Sequence, residues 1–179
     1  QGVVAIISPY KYCPVEDILA LAKKREEPPF IIILDGLEDP HNMGAIMRTA
    51  ECAGAHGVII SKRRASGITG TVAKSSAGAV EYLPCARVAN IARTVDMLTE
   101  QGLWIYACDM DGDTYYKADM KGPMALVIGN EGSGISRLVK SKCDFVVSIP
   151  MRGRISSLNA SSAAAILMYE IRKQRDAVL

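Results

Sequence analysis

The sequence is poor in aromatic residues, with one Trp, two Phe and seven Tyr among 179 residues, and no apolar run is long enough to cross a membrane. No secretory leader pattern is visible, so we expect a cytoplasmic protein. Hydrophobic residues make up 49% of the chain and charged residues 22%, which argues against disorder. Length and composition predict one globular domain with a sizeable core.

Metal-ligand residues are also scarce. No two cysteines form a C-x-x-C pair, and neither His41 nor His56 has zinc-ligand spacing to a cysteine. An odd number of cysteines in apolar or helical surroundings predicts reduced, mostly buried thiols. The sequence therefore gives little support for zinc or disulfides. The five cysteines are Cys13, Cys52, Cys85, Cys108 and Cys143.

The formal net charge of +2 does not by itself indicate a nucleic-acid partner, but the basic residues are clustered. One cluster is Lys62, Arg63 and Arg64, a second is Arg152 and Arg154, and a third lies at residues 172–175. Such clusters hold phosphates in some proteins and are simply solvated loop or helix ends in others. Both interpretations stay open for each cluster.

Short apolar runs alternate with helical patterns along the chain, which predicts an α/β fold with a parallel sheet and helices on both faces. The apolar residues are mostly Ala, Ile, Val and Leu, as expected for buried parallel strands. Strands are predicted at 3–7, Phe30–Asp35, Gly57–Ser61, 80–84, 103–109, Met124–Gly129 and 145–149. Helices are predicted at 14–25, 44–53, 88–101, 135–142 and 159–175, with a polar loop at 109–121.

The last predicted helix is apolar over an unusually wide arc. One stripe at helical spacing is extended by further apolar residues, so a second surface must cover part of the helix. That surface is either the rest of the fold or a second subunit. The stripe comprises Ala160, Ala163, Ala164, Leu167 and Ile171, and the extension Ile166, Met168 and Tyr169.

Three predicted strands end in loops of unusual composition, and ligands bind at the carboxyl ends of strands in open α/β sheets. The first loop, residues 35–44, carries Asn42, an N-cap residue type, and runs into a helix that carries Arg48. Arg48 lies opposite the apolar side of that helix, so packing does not require it. The loop is either a functional segment or a capped helix with a solvated arginine.

The second loop has the glycine order G-x-x-G-x-G at residues 129–134 and lacks the lysine of a phosphate-binding loop. Glu131 in its centre would repel a pyrophosphate but tolerates a cation, such as the sulfonium of S-adenosylmethionine. A purely structural glycine turn is the alternative.

The third loop, residues 148–159, leads into the last helix. Ser156, Ser157 and Asn159 are N-cap types, and one of them is expected to serve as a cap. Its apolar residues suit an adenine ring, and its two arginines suit RNA phosphates. The apolar residues are Ile149, Met151 and Leu158.

Together these segments resemble the three motifs of the SpoU (TrmH-like) branch of the SPOUT RNA methyltransferases. The motifs are residues 39–50 (DPHNMGAIMRTA), 127–132 (VIGNEG), and 149–151 (IPM) with 157–159 (SLN), and the resemblance covers residues 30–175. The opening QGVVA is similar to the domain junction of the RlmB-type enzymes, which methylate a guanosine of 23S ribosomal RNA. We therefore expect residues 1–179 to be a catalytic domain, with a small RNA-binding domain upstream.

The resemblance implies an α/β fold with a C-terminal trefoil knot, and a homodimer whose active site is completed across the interface. It implies methyl transfer from S-adenosylmethionine to a ribose 2′-hydroxyl of structured RNA without a metal. The catalytic set would be Asn42, Arg48, Glu131 and Asn159. The cofactor-binding set would be Gly129, Asn130, Gly132, Ile149, Met151, Ser157 and Leu158.

Arg48 is expected to stabilise a developing alkoxide, because a guanidinium resists deprotonation. RNA contacts are expected from Lys62, Arg63, Arg64, Arg152 and Arg154. Ribosomal RNA is the favoured substrate and transfer RNA the nearest rival. A non-catalytic RNA-binding module and a nucleotide-binding oxidoreductase are more distant alternatives, since the first needs no catalytic set and the second needs another glycine order.

Overall fold

Six parallel strands form the sheet in the computed structural model, which describes residues 10–63 and 65–177. The predicted strand at 3–7 and the side chain of Arg64 lie outside the described residues. The sheet order is β3-β2-β1-β5-β4-β6, which confirms the prediction of a parallel α/β sheet. The strands are β1 Phe30–Asp35, β2 Gly57–Ser61, β3 Cys85–Val88, β4 Trp104–Thr114, β5 Met124–Gly129 and β6 Phe145–Ser148.

Helices cover both faces of the sheet. On one face α1, α4 and α5 pack on Ile31 and Ile33, and on the other α2, α3 and α6 pack on Ile32 and Leu34. Alternate residues of β1 therefore enter two separate cores, which explains why this strand is apolar throughout. The helices are α1 Val15–Lys24, α2 Pro40–Cys52, α3 Gly70–Ser75, α4 Ile91–Glu100, α5 Arg137–Lys140 and α6 Ala160–Asp176.

The start of α2 differs from the prediction. The helix begins at Pro40, inside the predicted loop, and Asp39 is its N-cap, accepting a hydrogen bond from the His41 N–H at 2.9 Å. Proline suits the first helical position because its missing N–H would have no partner there. The cap that Asn42 could have provided by residue type is therefore provided by Asp39. Asn42 lies in the first turn, which leaves its side chain free for tertiary contacts.

Other predicted boundaries were also wrong. Residues Ala79–Glu81 form a 3₁₀ turn, and the strand predicted at 80–84 instead begins at Cys85. Helix α4 begins only at Ile91, where Asn90 caps it. Strand β4 extends to Thr114, well into the predicted polar loop, with an irregular register against β6 between Cys108 and Asp113.

The rest of the fold covers most of the apolar arc of α6, which packs against α2. Ala164, Leu167 and Ile171 are buried, but Ile166 and Tyr169 stay 37% and 53% exposed. Within residues 10–63 and 65–177, no helix has the length and apolar character to cross a membrane. All five cysteines are free thiols; Cys85 is buried, whereas Cys52 is exposed.

Candidate active site and cofactor cleft

Three polar side chains from the three loops form a hydrogen-bonded chain. The Asn42 amide donates to Glu131 Oε1 at 2.8 Å, and the Asn159 amide donates to Asn42 Oδ1 at 2.9 Å. Asn42 is 8% exposed, so its amide is held between these two partners with little access to water. The structure thus brings together three of the four predicted catalytic residues, which are far apart in sequence.

Glu131 is presented by a rigid turn after β5. The backbones of Asn130 and Gly134 exchange two hydrogen bonds, of 3.0 and 2.9 Å, across the turn. The Asn130 amide donates to the Gly36 carbonyl at 2.8 Å, while its oxygen accepts from the Gly132 N–H at 2.9 Å. The turn is therefore tied to the loop after β1, which places Glu131 beside α2.

Asn159 has two functions at once. Its Oδ1 accepts from the Ser161 N–H at 2.9 Å and so caps α6, while its amide reaches Asn42. The helix cap and the polar chain therefore depend on one side chain, and α6 cannot shift without disturbing Asn42. Ser156 and Ser157, the other two cap candidates, lie before the helix and line the neighbouring cleft.

A cleft of about 510 Å³ opens beside this polar chain, between the ends of β4, β5 and β6 and the start of α6. All seven residues of the predicted cofactor set line it, together with Glu131 and Asn159. Asn42 and Arg48 are not among the lining residues. The prediction missed further lining residues, Cys108, Asp109, Met110, Ile128, Gly134, Ser156, Ala160 and Ala163.

Three of the missed lining residues, Cys108, Asp109 and Met110, come from β4 just beyond its pairing with β5, which ends at Ala107. The sequence prediction ended this strand at residue 109 and treated 109–121 as a polar loop, although the predicted strand ends at the same edge as β5 and β6. The rule that ligands bind at the carboxyl ends of parallel strands applies to β4 as well, and would have pointed to Asp109 and Met110.

The cleft is acidic. None of its described lining residues is Lys, Arg or His, whereas Asp109 and Glu131 are carboxylates. Asp109 is held by Lys140 at 2.8 Å, and Lys140 also contacts Asp111 at 2.7 Å; these hydrogen bonds raise the pKa of Lys140. Such a lining opposes a pyrophosphate and suits a ligand that carries positive charge. The residues present therefore fit the sulfonium and adenine of S-adenosylmethionine.

The thiol in the cleft is unreactive. Burial, with a smaller effect of the Asp109 charge, raises the pKa of Cys108 to about 11. Since the thiolate is the nucleophilic form, Cys108 stays a protonated, apolar wall at neutral pH. A methyl donor in the cleft would therefore not be consumed by this side chain.

Arg48 lies apart from the other three catalytic candidates. It is exposed on α2, six residues after Asn42, which corresponds to about 9 Å along the helix axis. Of the predicted RNA contacts, Lys62, Arg152 and Arg154 are exposed, and Arg63 is exposed beside a second, larger cavity. Among the described residues, no group of three His, Cys, Asp or Glu side chains could hold a metal ion.

The chain is similar to known RNA methyltransferases. The model of the SpoU rRNA Methylase family matches residues 29–169. YacO of Bacillus subtilis, assigned to the TrmH family of tRNA/rRNA methyltransferases, is 51% identical over 99% of this chain and 72% of its own length.

Solved structures agree. The SpoU methyltransferase AviRb of Streptomyces viridochromogenes superposes with a TM-score of 0.80 at 33% identity, covering 85% of this chain and 62% of AviRb. AviRb in complex with the cofactor AdoMet gives 0.79 at 34% identity, over 84% of this chain and 59% of AviRb. This chain thus spans about three fifths of AviRb. From its match over residues 29–169, the chain belongs to the SpoU rRNA methylase family.

Proposed function

We propose that this protein transfers a methyl group from S-adenosylmethionine to a ribose 2′-hydroxyl of structured RNA, and that the methylated nucleotide is a guanosine of 23S ribosomal RNA. One observation carries the proposal: the chain Glu131–Asn42–Asn159 adjoins an acidic cleft lined by the whole predicted cofactor set. A binding module without catalysis has no need of a buried asparagine held between two polar partners.

The cofactor is S-adenosylmethionine, which supplies a methyl group on a positively charged sulfur. We assign its binding to the cleft, with backbone contacts near Gly129, Ile149 and Leu158. Met151 adds apolar surface for the adenine ring, and Glu131, which has no cationic partner among the lining residues, favours a cationic ligand over a neutral one.

The three linked side chains position the acceptor ribose. Glu131 Oε1 accepts from Asn42, so Glu131 Oε2 is left to orient a sugar hydroxyl or a guanidinium. Each polar end of the Asn42 amide holds one hydrogen bond and the side chain is buried, so we assign Asn42 to orienting Glu131 rather than to contacting substrate. Alignment of this kind can supply a large part of the acceleration of a displacement reaction.

Arg48 stabilises the negative charge that develops on the ribose oxygen. Because Arg48 is exposed and does not line the cleft of its own chain, we propose that it acts in the cleft of a second copy. Ile166 and Tyr169 on α6 and Ile155 before it leave apolar surface uncovered, as a homodimer interface requires.

The family's C-terminal trefoil knot, an upstream RNA-binding domain and a cytoplasmic location belong to the same proposal. Two loops that follow β5 and β6 meet at one cleft, an arrangement that a knotted C-terminus would hold in place. The exposed Lys62, Arg63, Arg152 and Arg154, together with Arg64, are our candidates for phosphate contacts.

Two observations favour ribosomal RNA over transfer RNA: the family description and the RlmB-like motifs. Transfer RNA is the rival substrate, because the TrmH/SpoU enzyme of A. aeolicus is a tRNA modifying enzyme. That enzyme is 25% identical over 92% of this chain, with a TM-score of 0.78. Incubation with S-adenosylmethionine and either bulk ribosomal RNA or bulk transfer RNA, followed by mapping of 2′-O-methylated positions, decides between them. Cofactor binding with no transfer to either RNA would instead support a non-catalytic module.

Substitution of Arg48 tests the mechanism. Arg48→Ala should lower methyl transfer by about 10²-fold or more, as loss of an oxyanion-stabilising donor does, with unchanged S-adenosylmethionine affinity in calorimetry. Arg93→Ala, an exposed arginine on α4, is the matched control. Near-normal turnover of Arg48→Ala would refute the role.

Subunit mixing tests where Arg48 acts. Random mixing of equal amounts of Arg48→Ala and Glu131→Gln makes about half of the dimers heterodimers. In each heterodimer one of the two sites has both residues intact, so about a quarter of the wild-type activity should return. No recovery from two inactive parents would show that Arg48 and Glu131 act within one chain.

A further inference from the structure

A second cavity of about 1050 Å³, larger than the cofactor cleft, lies next to it. It lies at the carboxyl ends of β1, β2, β4 and β5, between the segment after β2 and the turn and helix α5 after β5. Asp109, Asn130 and Gly134 line both this cavity and the cofactor cleft, so the two cavities share one wall. A ligand in the larger cavity would therefore lie directly beside the cofactor.

Two arginines line this cavity from different segments. Arg63 follows β2, and Arg137 opens the short helix α5. Both are exposed, and neither forms an ion pair with any residue in 10–63 or 65–177. The segment carrying Arg63 is anchored, since the Lys62 N–H donates to Val88 O at 2.8 Å and the Arg63 N–H to Ser61 Oγ at 3.1 Å.

The carboxylates of the cavity are mostly engaged. Asp35 Oδ2 accepts from the Ser136 N–H at 2.8 Å, and Asp109 is paired with Lys140 at 2.8 Å. Glu38 is the remaining acid among the lining residues. Lys140, the third basic residue of the lining, is paired with Asp109 and Asp111, so the two arginines are the cavity's free cations within the described chain. A guanidinium presents a planar donor fork that matches phosphate.

We propose that this cavity binds the phosphodiester backbone of the RNA segment next to the methylated nucleotide, with Arg63 and Arg137 contacting phosphates. The inference rests on the proposed function and adds a subsite to it. Arg137 was not among the RNA contacts predicted from the sequence, although Lys140 and Lys142 follow it closely. The shared wall explains how RNA held here presents its neighbouring ribose to the cofactor cleft.

The experiment measures RNA affinity against salt for Arg63→Gln and Arg137→Gln. Bulk ribosomal RNA and bulk transfer RNA are the probes, with KCl varied from about 50 to 200 mM. Each lost phosphate contact should flatten the slope of log K against log salt by about 0.7 to 0.9. Arg137→Lys keeps the charge and should keep the slope. S-adenosylmethionine affinity should be unchanged in all variants.

Arg25→Gln is the matched control, because Arg25 is exposed at the end of α1, shortly before the start of β1, whereas the cavity lies at the carboxyl ends of the strands. If both cavity variants keep the wild-type slope of log K against log salt while the wild type methylates RNA, the subsite proposal is wrong and the proposed function stands. A wild-type chain that binds S-adenosylmethionine but neither binds nor methylates RNA would overturn the proposed function, and the subsite with it. Melting temperatures equal to wild type would show that the variants are folded.

Discussion

His56 should make the fold sensitive to acid. The side chain is fully buried, and its Nδ1 accepts a hydrogen bond from the Phe30 backbone N–H at 3.0 Å. The backbone N–H of His56 donates to the Phe30 carbonyl oxygen at 2.8 Å. These two bonds join the start of β1 to the turn before β2. With Nδ1 as acceptor, the neutral ring carries its proton on Nε2, and a second proton would have to sit on Nδ1, facing the Phe30 N–H.

Burial lowers the pKa of His56, and the charges of Arg25 and Arg175 lower it further. The Glu27 carboxylate, whose Oε2 lies 3.2 Å from Nε2, raises the pKa of His56, but its side chain is 45% exposed and burial of the ring is the larger effect. The folded state therefore binds the proton less readily than the unfolded state. Stability is fully present above the unfolded pKa near 6.5 and falls as the pH drops below it.

The size of the effect follows from linkage. One proton taken up on unfolding gives a slope approaching about 1.4 kcal/mol per pH unit, so the loss between pH 7 and pH 5 reaches about 1.9 kcal/mol if His56 stays neutral when folded. Urea unfolding at several pH values measures this slope. His56→Asn keeps an oxygen that can accept from Phe30 and removes the titration, so its slope should be smaller by that amount.

His41→Asn is the matched control, because His41 is the chain's other histidine and is exposed. It should follow the wild-type pH dependence. If wild type and His56→Asn lost stability in parallel between pH 7 and pH 5, the linkage reasoning would be wrong.

Three further predictions concern packing and reactivity. In Gly129→Ala the added methyl would overlap the backbone of Gly134, so the free energy of unfolding should fall by about 1 to 3 kcal/mol and cofactor binding should weaken. A variant with wild-type cofactor affinity in calorimetry would contradict this. Arg175→Met removes hydrogen bonds of 2.7 to 3.0 Å to three backbone carbonyls, so the free energy of urea unfolding should fall by about 2 to 4 kcal/mol. A fall of less than about 0.5 kcal/mol would contradict a stabilising role of these bonds. In iodoacetamide labelling at pH 8 followed by mass spectrometry, exposed Cys52 should react well before the half-buried Cys108, because burial raises the pKa of the Cys108 thiol to about 11. Equal rates would contradict this reasoning.

Local sequence was informative where one physical requirement dominates a segment. Phe30–Asp35 and Met124–Gly129 are apolar at every position but the last, because each strand is buried on both faces of the sheet, and both were predicted with their observed bounds. Glycine and asparagine marked the loops after β1 and β5, since tight turns need residues that tolerate unusual backbone angles, as Gly36 and Gly134 do at φ 76° and 69°.

Tertiary structure decided what the loops do together. Asp39 and Asn42 are both good cap residues, and local sequence does not show that Asn42 instead meets Glu131, 89 residues away, and Asn159, 117 residues away. Those contacts exist because β5 lies beside β1 in the sheet. The same strand order brings the end of β4, with Asp109, to the cofactor cleft and leaves Arg48 outside it. Strand order is a property of long-range packing, and no local pattern of residues encodes it.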